Sequence, residues 1–277
     1  MKLGGLGIYF GFLGGLIIVA VFERNFFNLH STHFFGLAIC SSLMLLLGIY
    51  DDFHGSNART KFIVQIIIAL LAIKAGFKLE RFIIPNVIEV SLIGNASVIV
   101  TTIWLVGITN AINLIDGLDG LAASIVSVVS FFFCFYGFII KDYFITTIAL
   151  SLLGANLAFL RYNFHPAKIF MGDTGSLFLG FILGCLAIYQ RSPQQLQNIL
   201  FFPAVVLLLL PISDTLCAII RRALHKQHIF SSDSSHIHHY YIKLGYNQIE
   251  TVTRFCIMTF CLGAASLLLV YYYQLLP

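Results

Sequence analysis

The chain has 277 residues, is 59% hydrophobic and only 10% charged, and carries a net charge of +4. Its mean hydropathy of +0.93 lies outside the range of soluble globular domains. The modest charge gives no ground for a nucleic-acid partner, and the six cysteines lie scattered in apolar runs without a CxxC pair, as small buried residues do.

A bilayer core about 30 Å thick needs roughly 17–25 apolar residues per helix. Nine runs meet or approach that length, at about 5–22, 34–50, 62–77, 97–114, 121–140, 143–160, 175–190, 198–220 and 254–273. Strand-period alternation is absent from them, so helices and not a barrel satisfy the backbone. The expectation is an all-α polytopic membrane protein, one domain over residues 1–277, with no soluble domain between spans. The first run follows Lys2 and ends at Glu23 without a small-residue cleavage site, so it reads as a retained span.

Nine spans alternate sides. If Met1 starts on side A, that side holds the loops at about 51–61, 115–120, 161–174 and 221–253. Ten of the 16 lysines and arginines fall there, which makes side A cytoplasmic by the positive-inside rule. Lys74, Lys78 and Arg81 count against that assignment. The aspartates separate more sharply. Asp51, Asp52, Asp116, Asp119, Asp173, Asp214 and Asp233 lie on side A, and only Asp142 on side B. Most histidines follow them. Carboxylates, imidazoles and guanidiniums gathered at one membrane face point to an active site.

In chain order, the first polar cluster is "GIYDDFHGSNARTKFIVQ". Asp51 and Asp52 close an apolar run, and adjacent like charges need a cation or serve as a base pair. Arg59 and Lys61 lie one short loop away. The bland alternative is a pair of solvated helix-end acids.

The next is "NAINLIDGLDGLAAS", which spaces Asn110, Asn113, Asp116 and Asp119 by three. Gly117 and Gly120 make a continuous helix unfavourable. A helix ending near Asn113, then a tight turn, points all four at one small volume. A polar turn with Asp119 capping the next helix is the alternative, but it leaves Asn110 and Asn113 unexplained in an apolar run.

"RYNFHPAKIFMGDTGSLFLG" puts Asp173, Thr174 and Ser176 before an apolar helix. Asp173 or Thr174 serves as an N-cap there, or the same helix end receives phosphate and a phosphate-bound cation. The hard oxygen donors favour Mg²⁺, with Mn²⁺ as the alternative, over Zn²⁺. The last cluster, "PISDTLCAIIRRALHKQHIFSSDSSHIHHYYIKLGY", carries Arg221, Arg222, His236, His238 and His239. These suit anion contact better than zinc, and an ordinary basic loop is the alternative.

Together these motifs resemble the polyprenyl-phosphate N-acetylhexosamine-1-phosphate transferases. The similarity rests on Asp51–Asp52 with Lys61 and Gln65, NxxNxxDGxDGL at 110–121, "NFHPAKIFMGDTGS" at 163–176 and SDT…RR…HIHH at 213–239, in the family's order. The HIHH form resembles the branch that uses GlcNAc-1-phosphate or a related HexNAc-1-phosphate.

The resemblance implies attack by undecaprenyl phosphate on the sugar-bound phosphorus of a UDP-HexNAc. UMP departs, and the lipid-diphospho-sugar that begins a cell-envelope glycan forms. It also implies a cytoplasmic site in a bacterial inner membrane. It assigns Mg²⁺ to Asp173 and Asn113, and catalytic or organising work to Asp51, Asp52, Asp116 and Asp119. Substrate contacts fall to Lys61, Asn110, Asn163, Arg221, Arg222, His236, His238 and His239. Direct attack and a two-step aspartyl route both stay open, as do monomer and homodimer.

Two features depart from the family pattern. Members usually carry another span before the "GG", so the expectation is a chain without the family's first helix, and a truncated, inactive nucleotide-sugar binder is the alternative. The family's PDR reads Ser232, Asp233, Ser234 here, which removes a bidentate phosphate donor. A transporter, the non-enzymatic rival, calls for repeated halves, and no internal repeat is present.

Overall fold

The computed structural model describes residues 3–22, 31–84, 88–190, 200–225 and 236–275. The helices are α1 (Gly4–Phe22), α2 (Ser31–His54), α3 (Ala58–Lys74), α4 (Asn95–Ile115), α5 (Leu121–Ile139), α6 (Tyr143–Asn163), α7 (Gly172–Ile188), α8 (Phe201–Leu207), α9 (Leu209–Leu224), α10 (Ile237–Lys243) and α11 (Gln248–Leu275). Strands β1 (Arg81–Ile84) and β2 (Ile88–Ser91) form an antiparallel hairpin between α3 and α4. Residues 232–234 and the basic residues Lys226 and Arg191 lie outside the described residues.

Each expected span corresponds to a helix or, in one case, to a bent pair. Six helices are long and apolar enough to cross a bilayer, and a seventh crossing results if α8 and α9 count as one. The architecture is an all-α integral membrane bundle with one small hairpin.

That hairpin falls between the third and fourth expected spans, where no strand is expected from the span pattern. The β-branched residues Ile83, Ile84, Ile88 and Val90 on either side of Pro85–Asn86 were the available signal. Phe82 packs on Phe201 with ring centroids 5.1 Å apart, and Phe201 packs on Trp104 at 4.7 Å, so the hairpin is tied to the bundle.

A correction concerns residues 198–220, read as one span. The chain breaks at Leu208, and α8 and α9 meet at 71°. Pro211 has no N–H to give the carbonyl four residues back, and its ring collides with that carbonyl, which explains a kink there. The last helix also starts earlier than 254. Asn247 and Glu250 form a reciprocal capping box, with Glu250 N donating to Asn247 Oδ1 at 2.8 Å and Asn247 N to Glu250 Oε2 at 2.9 Å, so the polar stretch 248–253 is helical.

Helix α7 is the centre of the bundle. Every residue from Thr174 to Ile188 is buried, as expected of a helix that is apolar all round. Helices α1, α2 and α4 surround it. Their close approach depends on small residues. A methyl group at Gly5 would overlap the backbone of Gly175, and one at Gly48 would overlap the carbonyl of Asp173. Gly4 N and Gly5 N donate to Phe170 O and Met171 O at 3.0 and 3.1 Å, so the start of α1 is stitched to the loop leading into α7. At the far end of the bundle, Asp142 caps α6 through Phe144 N and Ile145 N, which accounts for the lone side-B aspartate.

Candidate active site

The two aspartates at the end of α2 do different work. Asp52 reaches the N-terminus of α7. Asp173 N donates to its Oδ1 at 3.1 Å, and Thr174 N and Thr174 Oγ1 donate to its Oδ2 at 2.9 and 2.7 Å. The formal N-cap of α7, Met171, makes no side-chain capping bond. Helix N-termini leave donors unsatisfied and favour negative charge, so Asp52 acts as the cap from another helix. Neither Asp173 nor Thr174 caps α7, and Asp52 is committed to structure rather than poised as a free base.

Asp51 instead accepts from Ser56 N at 2.7 Å, from Ser56 Oγ, and from Lys61 Nζ at 3.2 Å. The Lys61 ammonium also donates to Asp173 Oδ2. One cation therefore joins carboxylates that start 122 residues apart in the chain, on α2 and α7. Asn113, near the end of α4, donates to Asp173 Oδ1 at 3.0 Å and to Ser176 Oγ at 2.8 Å.

The four polar residues spaced by three do not share one volume. Asn110 pairs with Gln65 of α3, donating at 2.6 Å and accepting at 3.4 Å, and it also bonds Val106 O. It joins two helices and does not line the cleft, because a step of three rotates it away from Asn113. Asn113, Asp116 and Asp119 do converge. Helix α4 ends at Ile115, and Gly120 takes a left-handed conformation with φ +76°, which lets the chain turn back into α5.

Asp119 does not cap α5, whose N-cap Gly120 makes no side-chain capping bond. Its Oδ2 accepts from His165 Nδ1 at 2.9 Å and Ala167 N at 3.1 Å. Asn163 completes this tie, accepting from Gly120 N at 3.1 Å and donating to Ile169 O at 2.9 Å. The turn 116–120 and the loop 164–171 are thereby held as one unit.

The result is a cleft of about 430 Å³ lined by Asp52, Asn113, Asp116, Gly117, Leu118, Asp119, Asn163, Phe170, Met171, Gly172, Asp173 and Gln248. Burial, then the negative charges of Asp173, Asp52 and Asp119, push the Asp116 carboxyl up to about 7. This excess of negative charge, set among hard oxygen donors without a thiolate, suits a hard divalent cation. Among the described residues no three His, Cys, Asp or Glu side chains form a ready-made ligand group. A cation here would take one or two carboxylates and complete its shell with water and substrate phosphate, as Mg²⁺ commonly does.

The raised Asp116 pKa has a thermodynamic consequence. Between about pH 4 and 7 the folded protein holds a proton that the unfolded chain has released, so this group's contribution to stability is lost as pH rises through that window. In metal-free detergent at pH 8, Asp116→Asn therefore unfolds a few degrees above the wild type. The gain shrinks at pH 5 to about a third of its value at pH 8 and vanishes near pH 4. Added Mg²⁺ narrows the difference at pH 8 by stabilising the wild-type carboxylate. A thermal melt at the two pH values checks this, and equal unfolding temperatures at pH 8 would count against it.

The remaining expected residues do not line the cleft. His236 Nδ1 lies 2.8 Å from Asp214 Oδ2, and Ile237 N donates to Asp214 Oδ1 at 2.8 Å. The His238 ring is parallel to that of His236, 5.6 Å between centroids, and its Nε2 sits where a side chain on Gly117 would be. Burial, then the neighbouring His239, push the His238 imidazole down to about 4, so it is neutral at physiological pH. Arg221 and Arg222 end α9, with Arg222 buried, and neither is among the described residues that line the cleft.

Three residues with evident roles were not singled out from the sequence. His165 anchors Asp119, and its place in "NFHP" beside Asn163 was a weak signal. Gln248 opens α11 and lines the cleft, and the Asn247–Glu250 capping pattern would have located it. Asp214 was counted among the aspartates, but its partner lies 22 residues on and no local pattern names it.

Sequence comparison supplies the context. The family model described as Glycosyl transferase family 4 matches residues 34–191. The chain is 35% identical over 268 residues to the probable undecaprenyl-phosphate N-acetylglucosaminyl 1-phosphate transferase of Bacillus subtilis (strain 168), covering 97% of this chain and 73% of the relative. It is 31% identical over 275 residues to the decaprenyl-phosphate N-acetylglucosaminephosphotransferase of Mycolicibacterium smegmatis, covering 91% and 67%. It is also 30% identical over 293 residues to the phospho-N-acetylmuramoyl-pentapeptide-transferase of Rubrobacter xylanophilus, covering 98% and 83%.

Proposed function

Because the chain belongs to glycosyl transferase family 4, we propose that it transfers N-acetylglucosamine 1-phosphate from UDP-N-acetylglucosamine to undecaprenyl phosphate, with release of UMP. The observation that carries this reading is the cleft at one end of the bundle. Asp173, Asn113 and Asp116 meet there, and Lys61 joins Asp173 to Asp51.

An oxygen of the lipid phosphate attacks the phosphorus that bears the sugar. The bond from that phosphorus to the UMP oxygen breaks, and UMP leaves with the electron pair. A phosphomonoester has a second pKa near 6, so the acceptor is largely dianionic at neutral pH and needs placement more than deprotonation. Lys61, held beside Asp51 and Asp173, is placed to receive that phosphate as a point charge. Asp173 and Asn113, its amide turned to present oxygen, would hold Mg²⁺, which neutralises charge on the donor diphosphate. Asp119, His165 and Asn163 keep the cleft wall in register for the nucleotide. The bonds that Asp52 accepts from the α7 N-terminus support direct attack over an aspartyl intermediate on that residue.

The excess of basic residues on the same side, and the need for a nucleotide-sugar, support a cleft open to the cytoplasm of a bacterial inner membrane. The test is release of UMP by purified protein given UDP-N-acetylglucosamine, undecaprenyl phosphate and Mg²⁺, and its arrest by chelation. A folded protein that releases no UMP from any of several UDP-N-acetylhexosamines would overturn the reading.

A further inference from the structure

Gln248, the first residue of α11, lines the cleft. Helices α5 and α11 run side by side from the same end of the bundle. Phe132 packs on Phe260 with ring centroids 5.3 Å apart, and further along both helices Tyr136 bonds Ser266. Carried back to the start of the two helices, that pairing sets Gln248 level with the turn 116–120, which leads into α5. The reciprocal bonds between Asn247 and Glu250 fix the backbone on which it sits.

Yet the Gln248 Oε1 is enclosed and has no hydrogen-bond partner among the described residues. An enclosed polar atom is costly to leave unpaired and calls for a partner. The polar wall residues Asp52, Asn113, Asp119 and Asn163 each have one. The terminal torsion of a glutamine is broad, so its amide turns into the cleft at small cost. That amide offers an acceptor oxygen and a donor nitrogen side by side. An ionised phosphate has no N–H or O–H to give the oxygen, and a single hydroxyl cannot meet both ends. The full complement is a second amide, with its own N–H and C=O in the same relation.

We propose that Gln248 is a specificity-determining residue: its side-chain amide pairs with an amide-type group of the nucleotide-sugar, N–H and C=O together. The assignment rests on the transferase reading above and deepens it by naming what the cleft reads besides charge. A UDP-N-acetylhexosamine carries this chemistry twice, in the uracil ring and in the acetamido group. Both lie outside the diphosphate, just as Gln248 stands at the turn and not on α7 with Asp173. The pairing discriminates because a ligand without the amide leaves Oε1 unpaired inside the complex.

Calorimetric titration in detergent with Mg²⁺ tests this on wild type and on Gln248→Met, a swap of similar length and helix propensity that removes the amide. The variant should bind UDP-N-acetylglucosamine about tenfold more weakly than wild type. Three further ligands locate the partner. If the uracil ring is read, UMP binding falls by the same factor, and 3-methyl-UMP, which lacks the ring N–H, binds both proteins alike. If the acetamido group is read, UMP binds both proteins alike, and so does UDP-glucose. Equal binding of UDP-N-acetylglucosamine by the two proteins would overturn the proposal and leave Gln248 a partner for water alone. A loss shared equally by UMP, 3-methyl-UMP and UDP-glucose would also overturn it, as a nonspecific change. The wild type decides without the variant, should Gln248→Met fail to fold. Equal affinity for UMP and 3-methyl-UMP, together with equal affinity for UDP-N-acetylglucosamine and UDP-glucose, overturns the pairing. A wild type that binds no uridine nucleotide and releases no UMP instead overturns the transferase reading.

Discussion

Asp173→Asn protein folds like the wild type and releases UMP at least about 10³-fold more slowly, as expected when a charged partner of a transferring phosphoryl group is lost. The substitution leaves the shape of the α7 N-terminus alone, because Asp52 caps it through backbone groups and Thr174, not through the Asp173 side chain. What it removes is the charge that Lys61 and Asn113 share. An asparagine there has no charge to hold Lys61 toward α7 and is a weak ligand for a hard divalent cation. A rate assay over a Mg²⁺ titration, with circular dichroism as the folding control, measures both effects. Activity within tenfold of wild type at any Mg²⁺ concentration would remove Asp173 from the reaction.

Asp52→Ala, in contrast, loses stability first and activity with it. Three hydrogen bonds to a charged acceptor disappear, and two backbone N–H groups at the start of the most buried helix lose their partner. Bonds to charged groups contribute about 1.5–3 kcal/mol each, and the cleft admits water that compensates part of the loss, so a destabilisation of about 3–5 kcal/mol is expected. Asp51→Ala serves as the comparison: its partners are Ser56 and Lys61, and no helix terminus depends on it. Thermal unfolding in detergent should rank wild type and Asp51→Ala well above Asp52→Ala. If all three unfold together, the cross-helix cap is not what holds α7 in place.

The adjacent pair Asp51–Asp52 shows where sequence reasoning stops. As letters the two are equivalent, and both were read as acid–base candidates. Their partners begin five residues away for Asp51 and 121 residues away for Asp52. Only the packing of α2 against α7, permitted by Gly48, decides which carboxylate becomes a cap and which meets Lys61.

Much was nonetheless legible. The span positions followed from local hydropathy, since each helix in a bilayer must satisfy its own backbone and present apolar side chains along its length. The gathering of Asp51, Asn113, Asp116, Asp119 and Asp173 followed from counting sides, because alternate loops share a face. The turn after α4 was visible in Gly117 and Gly120, whose backbone freedom is a property of the residue itself.

The β-hairpin and the 71° break were not read, although Ile-rich flanks of Pro85–Asn86 and the ring of Pro211 were present as signals. Both are short features inside a long hydrophobic pattern that a span-length window averages away. The roles of Asn110, Asp119, Asp214 and His238 belonged to tertiary structure alone. Each depends on which donor or ring arrives from a distant helix, and hydrogen-bond geometry is set by that arrival over a few tenths of an ångström. The apolar helices and the gathering of acidic residues in one cleft were thus written in local chemistry, whereas the division of labour among those charged groups was decided by helix packing, which no local pattern encodes.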